Sequence, residues 1–177
     1  GYFDDPPPAE EPIQVVELKP GAQPLPELAD VRLVEGSGAN LRWNELQGQP
    51  WVANIFYTRC QKECSFLSMQ IRELQQTIPD VRFVSITCDP NNDKVEVLRA
   101  YADSLQADPL RWFFATGDIR DIQAASRALF GFSAKKLDHS PYLALMDREG
   151  KFVDMYNGMS TTSVQELAEK LKELAAE

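Results

Sequence analysis

From position 51 onward the chain alternates short apolar runs with longer stretches of helical periodicity. Residues 51–57, WVANIFY, are apolar at nearly every position, which predicts a central strand covered on both faces. Cys64, Leu67, Ile71, Leu74 and Ile78 then recur at helical spacing, and Pro79 follows. One stripe of a helix is therefore apolar, and the proline stops it. Residues 81–87, VRFVSIT, are β-branched and alternate, predicting the next strand. Asp93-Lys94-Val95-Glu96 reads as a capping box opening a helix through Tyr101. RWFFAT at 111–116 predicts another strand, after which Asp118 caps a helix to about Phe130. Residues 142–156 read as a hairpin closed by Asp147-Arg148-Glu149-Gly150. Ser163-Val164-Gln165-Glu166 reads as a second capping box, opening an amphipathic C-terminal helix.

The N-terminal part behaves differently. Residues 1–24 are rich in proline and acid, and Pro6-Pro7-Pro8 favours an extended polyproline segment without ladder donors. This predicts a linker or stalk, within which Ile13 to Glu17 could pair as an edge strand. Residues 31–43 read as a hairpin turning at Gly36-Ser37-Gly38. The order is then hairpin, β, α, β, α, β, α, β-hairpin, α. A strand followed by a cysteine-bearing helix, ending in a hairpin and a last helix, is the thioredoxin-like arrangement. The expectation is one α/β domain over 25–177, with a central mixed sheet flanked by helices and an N-terminal β-hairpin extension.

Charge narrows the classes of partner. The 177 residues carry 27 acidic and 18 basic side chains, a formal charge of −9. That disfavours non-specific binding to nucleic acid or to an anionic membrane surface, and favours a basic partner. No run of about 18 apolar residues is present. Three cysteines are too few for a disulfide-dense scaffold.

Two of those cysteines concentrate the chemistry. Cys60 and Cys64 stand four apart in YTRCQKECSF, directly after the first apolar run. On a regular helix that spacing leaves the Cβ atoms roughly 5–6 Å apart, more than the roughly 3.5–4.5 Å of a disulfide. A disulfide therefore requires Cys60 to sit in the turn before the helix, or the first turn to distort. A metal between two thiolates relaxes the demand. A helix N-terminus lowers the pKa of a nearby thiol, whose thiolate is both nucleophile and metal ligand. Cys64 at an apolar helical position is equally well a core residue, whereas Cys60 lies in a polar loop. Redox pair and metal clip both stay open. His139, the only histidine, lies where a loop enters a strand, and a thioredoxin-like sheet brings that loop beside the cysteine helix. Two thiolates and an imidazole suit Cu(I) and accept Cu(II). Cys88 reads as a buried small hydrophobe. Met69, Met155 and Met159 read as packing or surface residues rather than thioether ligands.

Three blocks in this order, FYTRCQKEC, VSITCDPNNDKVEVLRAYA and LDHSPYLALMDREG, resemble the Sco/SenC family of copper-binding, thioredoxin-fold assembly factors of cytochrome c oxidase. The resemblance implies Cys60, Cys64 and His139 as copper ligands, with Asp89 serving the site from behind them. It implies delivery of copper to, or preparation of, the two-copper site of oxidase subunit II, or exchange with another copper or thiol protein. It also implies an N-terminal anchor and a periplasmic or mitochondrial intermembrane-space location. Ser65 stands where the family commonly has proline after the second cysteine. Pro141 falls where thioredoxin-like reductases place a cis-proline, so a cis Ser140–Pro141 bond is expected. The alternative function is a thiol–disulfide oxidoreductase, in which Cys60 attacks and Cys64 resolves. A peroxidase-like role using Cys60 has only Arg59 in its favour.

Overall fold

The computed structural model describes residues 18–131 and 141–177. His139, the Ser140–Pro141 bond and the Ile13–Glu17 segment lie outside the described residues.

Six strands form one mixed sheet: β1 (Leu33–Glu35), β2 (Trp51–Phe56), β3 (Arg82–Thr87), β4 (Trp112–Gly117), β5 (Tyr142–Met146) and β6 (Phe152–Asn157), ordered β1-β4-β3-β2-β5-β6. β2, β3 and β4 run parallel, while β1, β5 and β6 attach antiparallel. Every residue of β2 is buried, as its unbroken apolar run requires of a strand with layers on both sides. The period of two then sorts its side chains. Trp51, Ala53 and Ile55 enter one core with α1 (Leu25–Leu28), α4 (Ile119–Phe130) and a 3-10 turn at Trp43–Leu46. Val52 and Phe56 enter the other, with α2 (Glu63–Thr77), α3 (Val95–Ser104) and α5 (Thr161–Ala175). This three-layer, thioredoxin-like architecture is the fold class read from the sequence.

Three local readings change. The hairpin expected at 31–43 turns at Gly38 (φ +91°), but its return arm is a single bridge, Val34 to Asn40. Leu41 and Trp43 then turn inward, and burying them against α1 leads the chain into the 3-10 turn instead of a second strand. At α5 the cap is Ser160, whose hydroxyl accepts from the Ser163 amide at 3.2 Å. The Ser163 hydroxyl instead accepts from the Asn157 amide at 2.9 Å, tying the helix to the end of β6. At α3 no side chain caps the N-terminus. Asp93, the expected cap, is fully buried and bonds elsewhere. Asp118 does cap α4, accepting from the Arg120 amide, and Gly131 ends that helix in the left-handed conformation a glycine adopts without strain.

Candidate metal and redox centre

β2 and β3 are parallel and in register, Phe56 beside Thr87, so the loops leaving their carboxyl ends run side by side. The Cys88 amide donates to the Phe56 carbonyl at 2.9 Å, extending the pairing one residue further. The carboxyl ends of parallel strands are where open α/β sheets place their ligands. Cys60 sits in the loop after β2, half-buried, and its amide donates to the Tyr57 carbonyl at 3.2 Å. Cys64 is the second residue of α2 and is fully buried. No disulfide joins them.

The two thiols are inequivalent. The Cys64 amide, in the first turn of α2, donates to the Cys60 sulfur at 3.4 Å. Burial by itself pushes the Cys60 thiol up and is the largest single influence. Hydrogen bonds from the Cys64 thiol, the Cys64 amide, the Tyr57 hydroxyl and the Lys62 amide outweigh it, so Cys60 lies below the ordinary thiol value. For Cys64 burial again comes first, and donation to the Cys60 sulfur adds to it, holding its proton far above the ordinary range. Tyr57 is raised by desolvation first and then by the neighbouring Cys60. One sulfur is thus poised as a thiolate and the other as its hydrogen-bond donor.

In the loop after β3, Asp89 is buried and accepts from the Asn92 side-chain amide at 3.1 Å. Asn92 in turn accepts from the Arg59 guanidinium. Cys88 is buried at the end of β3, as read from the sequence, and packs in the α1–α4 core, near enough to Cys64 to raise that thiol further. Ser65 is exposed in the first turn of α2. Met69 and Met159 are exposed and Met155 half-buried. Sequence reasoning missed Tyr57 and the bonds made by Asp93. The DPNND stretch was the available signal, but the capping-box pattern drew Asp93 to the helix.

Close packing joins the end of β6 to α2 and to the start of β5. Gly158 lies fully packed after β6, and its amide donates to the Pro141 carbonyl at 2.8 Å. A Cβ there would stand 2.1 Å from Leu67 Cδ2 and 3.1 Å from the Pro141 oxygen. Leu67, one turn after Cys64, is fully buried, so making room for the methyl means repacking the core around it. Gly158→Ala is expected to cost about 1–3 kcal/mol, as overpacking does, read as a lowered denaturant midpoint. A variant as stable as the parent would show that this contact is slack.

Residues 22–176 match the SCO1/SenC family model. The chain belongs to the SCO1/SenC family. It is 27% identical over 146 residues to the SCO1 protein homolog of Bacillus subtilis, covering 76% of each chain. Among solved structures, a SCO1/SenC family lipoprotein from Bacillus anthracis matches with a TM-score of 0.75 at 26% identity, over 92% of this chain and 97% of that one. BsSco, described through a disulfide switch and as a member of the Sco family of cytochrome c oxidase assembly proteins, matches with a TM-score of 0.72 at 23% identity, over 93% and 96%. Copper-bound ScoI of Bradyrhizobium japonicum shares the fold, with a TM-score of 0.61 at 23% identity over 81% and 96%.

Proposed function

We propose that this Sco protein is a copper chaperone. Cys60, Cys64 and His139 hold Cu(I) or Cu(II) and pass it to, or prepare, the two-copper site of cytochrome c oxidase subunit II. The observation that carries the reading is the thiol pair at the start of α2, with one sulfur favoured as thiolate by hydrogen bonds from the other thiol and from backbone. A soft metal needs such a deprotonated sulfur, and binding displaces the remaining thiol proton. Topology supports the third ligand. β5 pairs antiparallel with β2, Ala53 beside Ala144, and continuing that register brings the start of β5 to the Cys60 end of β2. Pro141, the residue before β5, is bonded to Gly158, which packs on Leu67 of α2. His139 lies two residues before Pro141, a separation that extended chain spans in about 7 Å. Asp89, through Asn92 and Arg59, steadies the loop from behind.

The proposed setting is the extracytoplasmic face of a membrane, the periplasm or the mitochondrial intermembrane space, with residues 1–24 as the stalk of an N-terminal anchor. The description of the Bacillus anthracis relative as a lipoprotein agrees with it. Among the described residues no helix is long and apolar enough to cross a membrane.

The thiol asymmetry also favours a second reading, reduction of a partner disulfide. The Cys60 thiolate attacks one partner sulfur, forming a mixed disulfide and expelling the other as a thiolate. Cys64, losing its proton, then attacks Cys60 and releases the second partner thiol, so two electrons pass to the partner.

Copper titration of the reduced protein separates the readings. The parent is expected to bind one copper per chain, and Cys60→Ala and His139→Ala to weaken it by at least about 100-fold, beyond the 10–100-fold typical of residues behind a metal site. Parental copper affinity in both variants would sink the chaperone reading. Peptide disulfide reduction by His139→Ala at parental rate, alongside that result, would leave the reductase standing.

A further inference from the structure

The Thr58 amide donates to Asp93 Oδ2 at 3.0 Å, and the Thr58 hydroxyl donates to Asp93 Oδ1. The Thr87 hydroxyl donates to the same Oδ2 at 2.6 Å while accepting from the Asp89 amide at 3.0 Å. The Asp93 amide closes the turn by donating to the Asp89 carbonyl at 2.9 Å. The side chain of Asp93 is fully buried. Among the described residues no lysine or arginine pairs with it. A buried carboxylate compensated only by donors makes short, directional bonds, and losing any of them strands a costly group. Among the described residues its three donors belong to two residues: Thr58, two before Cys60, and Thr87, the last residue of β3.

We infer that Asp93 is the positioning residue of the cysteine pair: its carboxylate locks the loop bearing Cys60 to the end of β3 and so sets the reach between Cys60 and Cys64. A helix-capping carboxylate would bond the first amides of α3, whereas this one bonds Thr58 and Thr87 and no side chain caps that helix. The neighbouring contact of Arg59 on Asn92 adds a second tie between the same two loops. Cys60 precedes α2 and depends on its loop, rather than on the helix, for its place. Cys64, by contrast, is held by the helix and by the core around it. Loosening the Asp93 lattice therefore frees one sulfur and leaves the other fixed. The effective concentration of one thiol at the other falls, and with it the stability of anything that needs both.

Two measurements read this directly. The first is the equilibrium with glutathione disulfide. The Cys60–Cys64 bond forms, the glutathione S–S bond breaks, and two electrons and two thiol protons pass to two glutathione thiols. The second is competition for Cu(I) against a chelator of known affinity. The first needs no metal, so it tests the positioning role independently of the copper chaperone reading on which the second rests. Asp93→Asn and Thr87→Val are each expected to make the disulfide at least about tenfold easier to reduce and to weaken Cu(I) by about 10–100-fold. Thr87→Ser, which restores the hydroxyl, is expected to recover parental values in both. Ser85→Ala serves as the control, because it removes buried bonds to Asn54 and Trp112 without touching either loop. It should lower the melting temperature and leave both constants unchanged. The inference is overturned if Thr87→Val leaves the disulfide constant within about twofold of parental, whatever its melting temperature. It is equally overturned if Ser85→Ala moves that constant as far as Thr87→Val does. Should Asp93→Asn fail to fold, the threonine pair decides alone.

Discussion

Iodoacetamide added to the reduced protein at neutral pH is expected to alkylate Cys60 at least about 100-fold faster than Cys64 or Cys88. Two independent factors push the same way. Cys60 is half-buried, whereas the other two thiols are fully buried and need a local opening before a reagent reaches them. The protonation states diverge as well, and only the thiolate reacts. Cys60 lies below the ordinary thiol value although burial opposes it, because four hydrogen bonds favour its anion. Cys64 lies far above it, first through burial and then through donation to Cys60. The sign follows. As pH rises, the Cys60 rate climbs with its thiolate fraction and levels off below the pH at which an unperturbed thiol would, while Cys64 keeps gaining. Selectivity is therefore greatest at neutral and acidic pH and shrinks in base. Mass mapping of the first modified cysteine, repeated across pH, checks both points. Equal labelling of Cys60 and Cys64 at neutral pH would mean that the hydrogen bonds of the α2 N-terminus do not discriminate between them.

The largest effect on stability is expected from Trp112→Ala. The indole is 2% exposed and packs 4.8 Å from the Phe114 ring and 6.3 Å from the Phe83 ring, centroid to centroid. Its Nε1–H donates to the Ser85 hydroxyl at 3.0 Å, and Ser85 donates on to Asn54 at 2.6 Å. Truncation removes the apolar body and leaves a cavity that the parallel strands around it cannot close, costing about 3–5 kcal/mol. Against a typical total of about 5–15 kcal/mol, that is a large share. Trp112→Phe keeps most of the volume, losing part of the ring and the donor to Ser85, whose own hydrogen still has Asn54. Its cost should stay near about 1–2 kcal/mol. Denaturant unfolding of the two variants gives the comparison. Because Trp112 and Cys64 share one core, the alanine variant should also expose Cys64 to alkylation sooner. A loss below about 1 kcal/mol for Trp112→Ala would contradict the packing seen around the ring.

Much of the molecule is legible in the order of its residues. The apolar run 51–57 must be a covered strand, and it is fully buried over Trp51–Phe56. Helical spacing from Cys64 and the break at Pro79 bound α2 to within a residue of Glu63–Thr77. Together those two features place the cysteine pair at a strand-to-helix junction. Such statements follow from local stereochemistry and from the period at which side chains repeat, which travel with the sequence.

What the local pattern misassigned lay wherever a residue had two possible partners. Asp93 fits a capping box by its neighbours in sequence, yet its carboxylate bonds Thr58 and Thr87, brought beside it by the parallel register of β2 and β3. Ser163 fits another box, yet the helix starts a turn earlier and its hydroxyl serves Asn157. The return arm of the first hairpin gave way to a 3-10 turn because Leu41 and Trp43 had a core to enter.

The sequence alone determined that two thiols meet at a helix start in an acidic α/β protein, and which family's motifs surround them. Only the tertiary structure decided that the two thiols differ and that Asp93 belongs to their loop. Desolvation and hydrogen bonding depend on what packs across the sheet from distant parts of the chain, and spacing along the chain carries no measure of either.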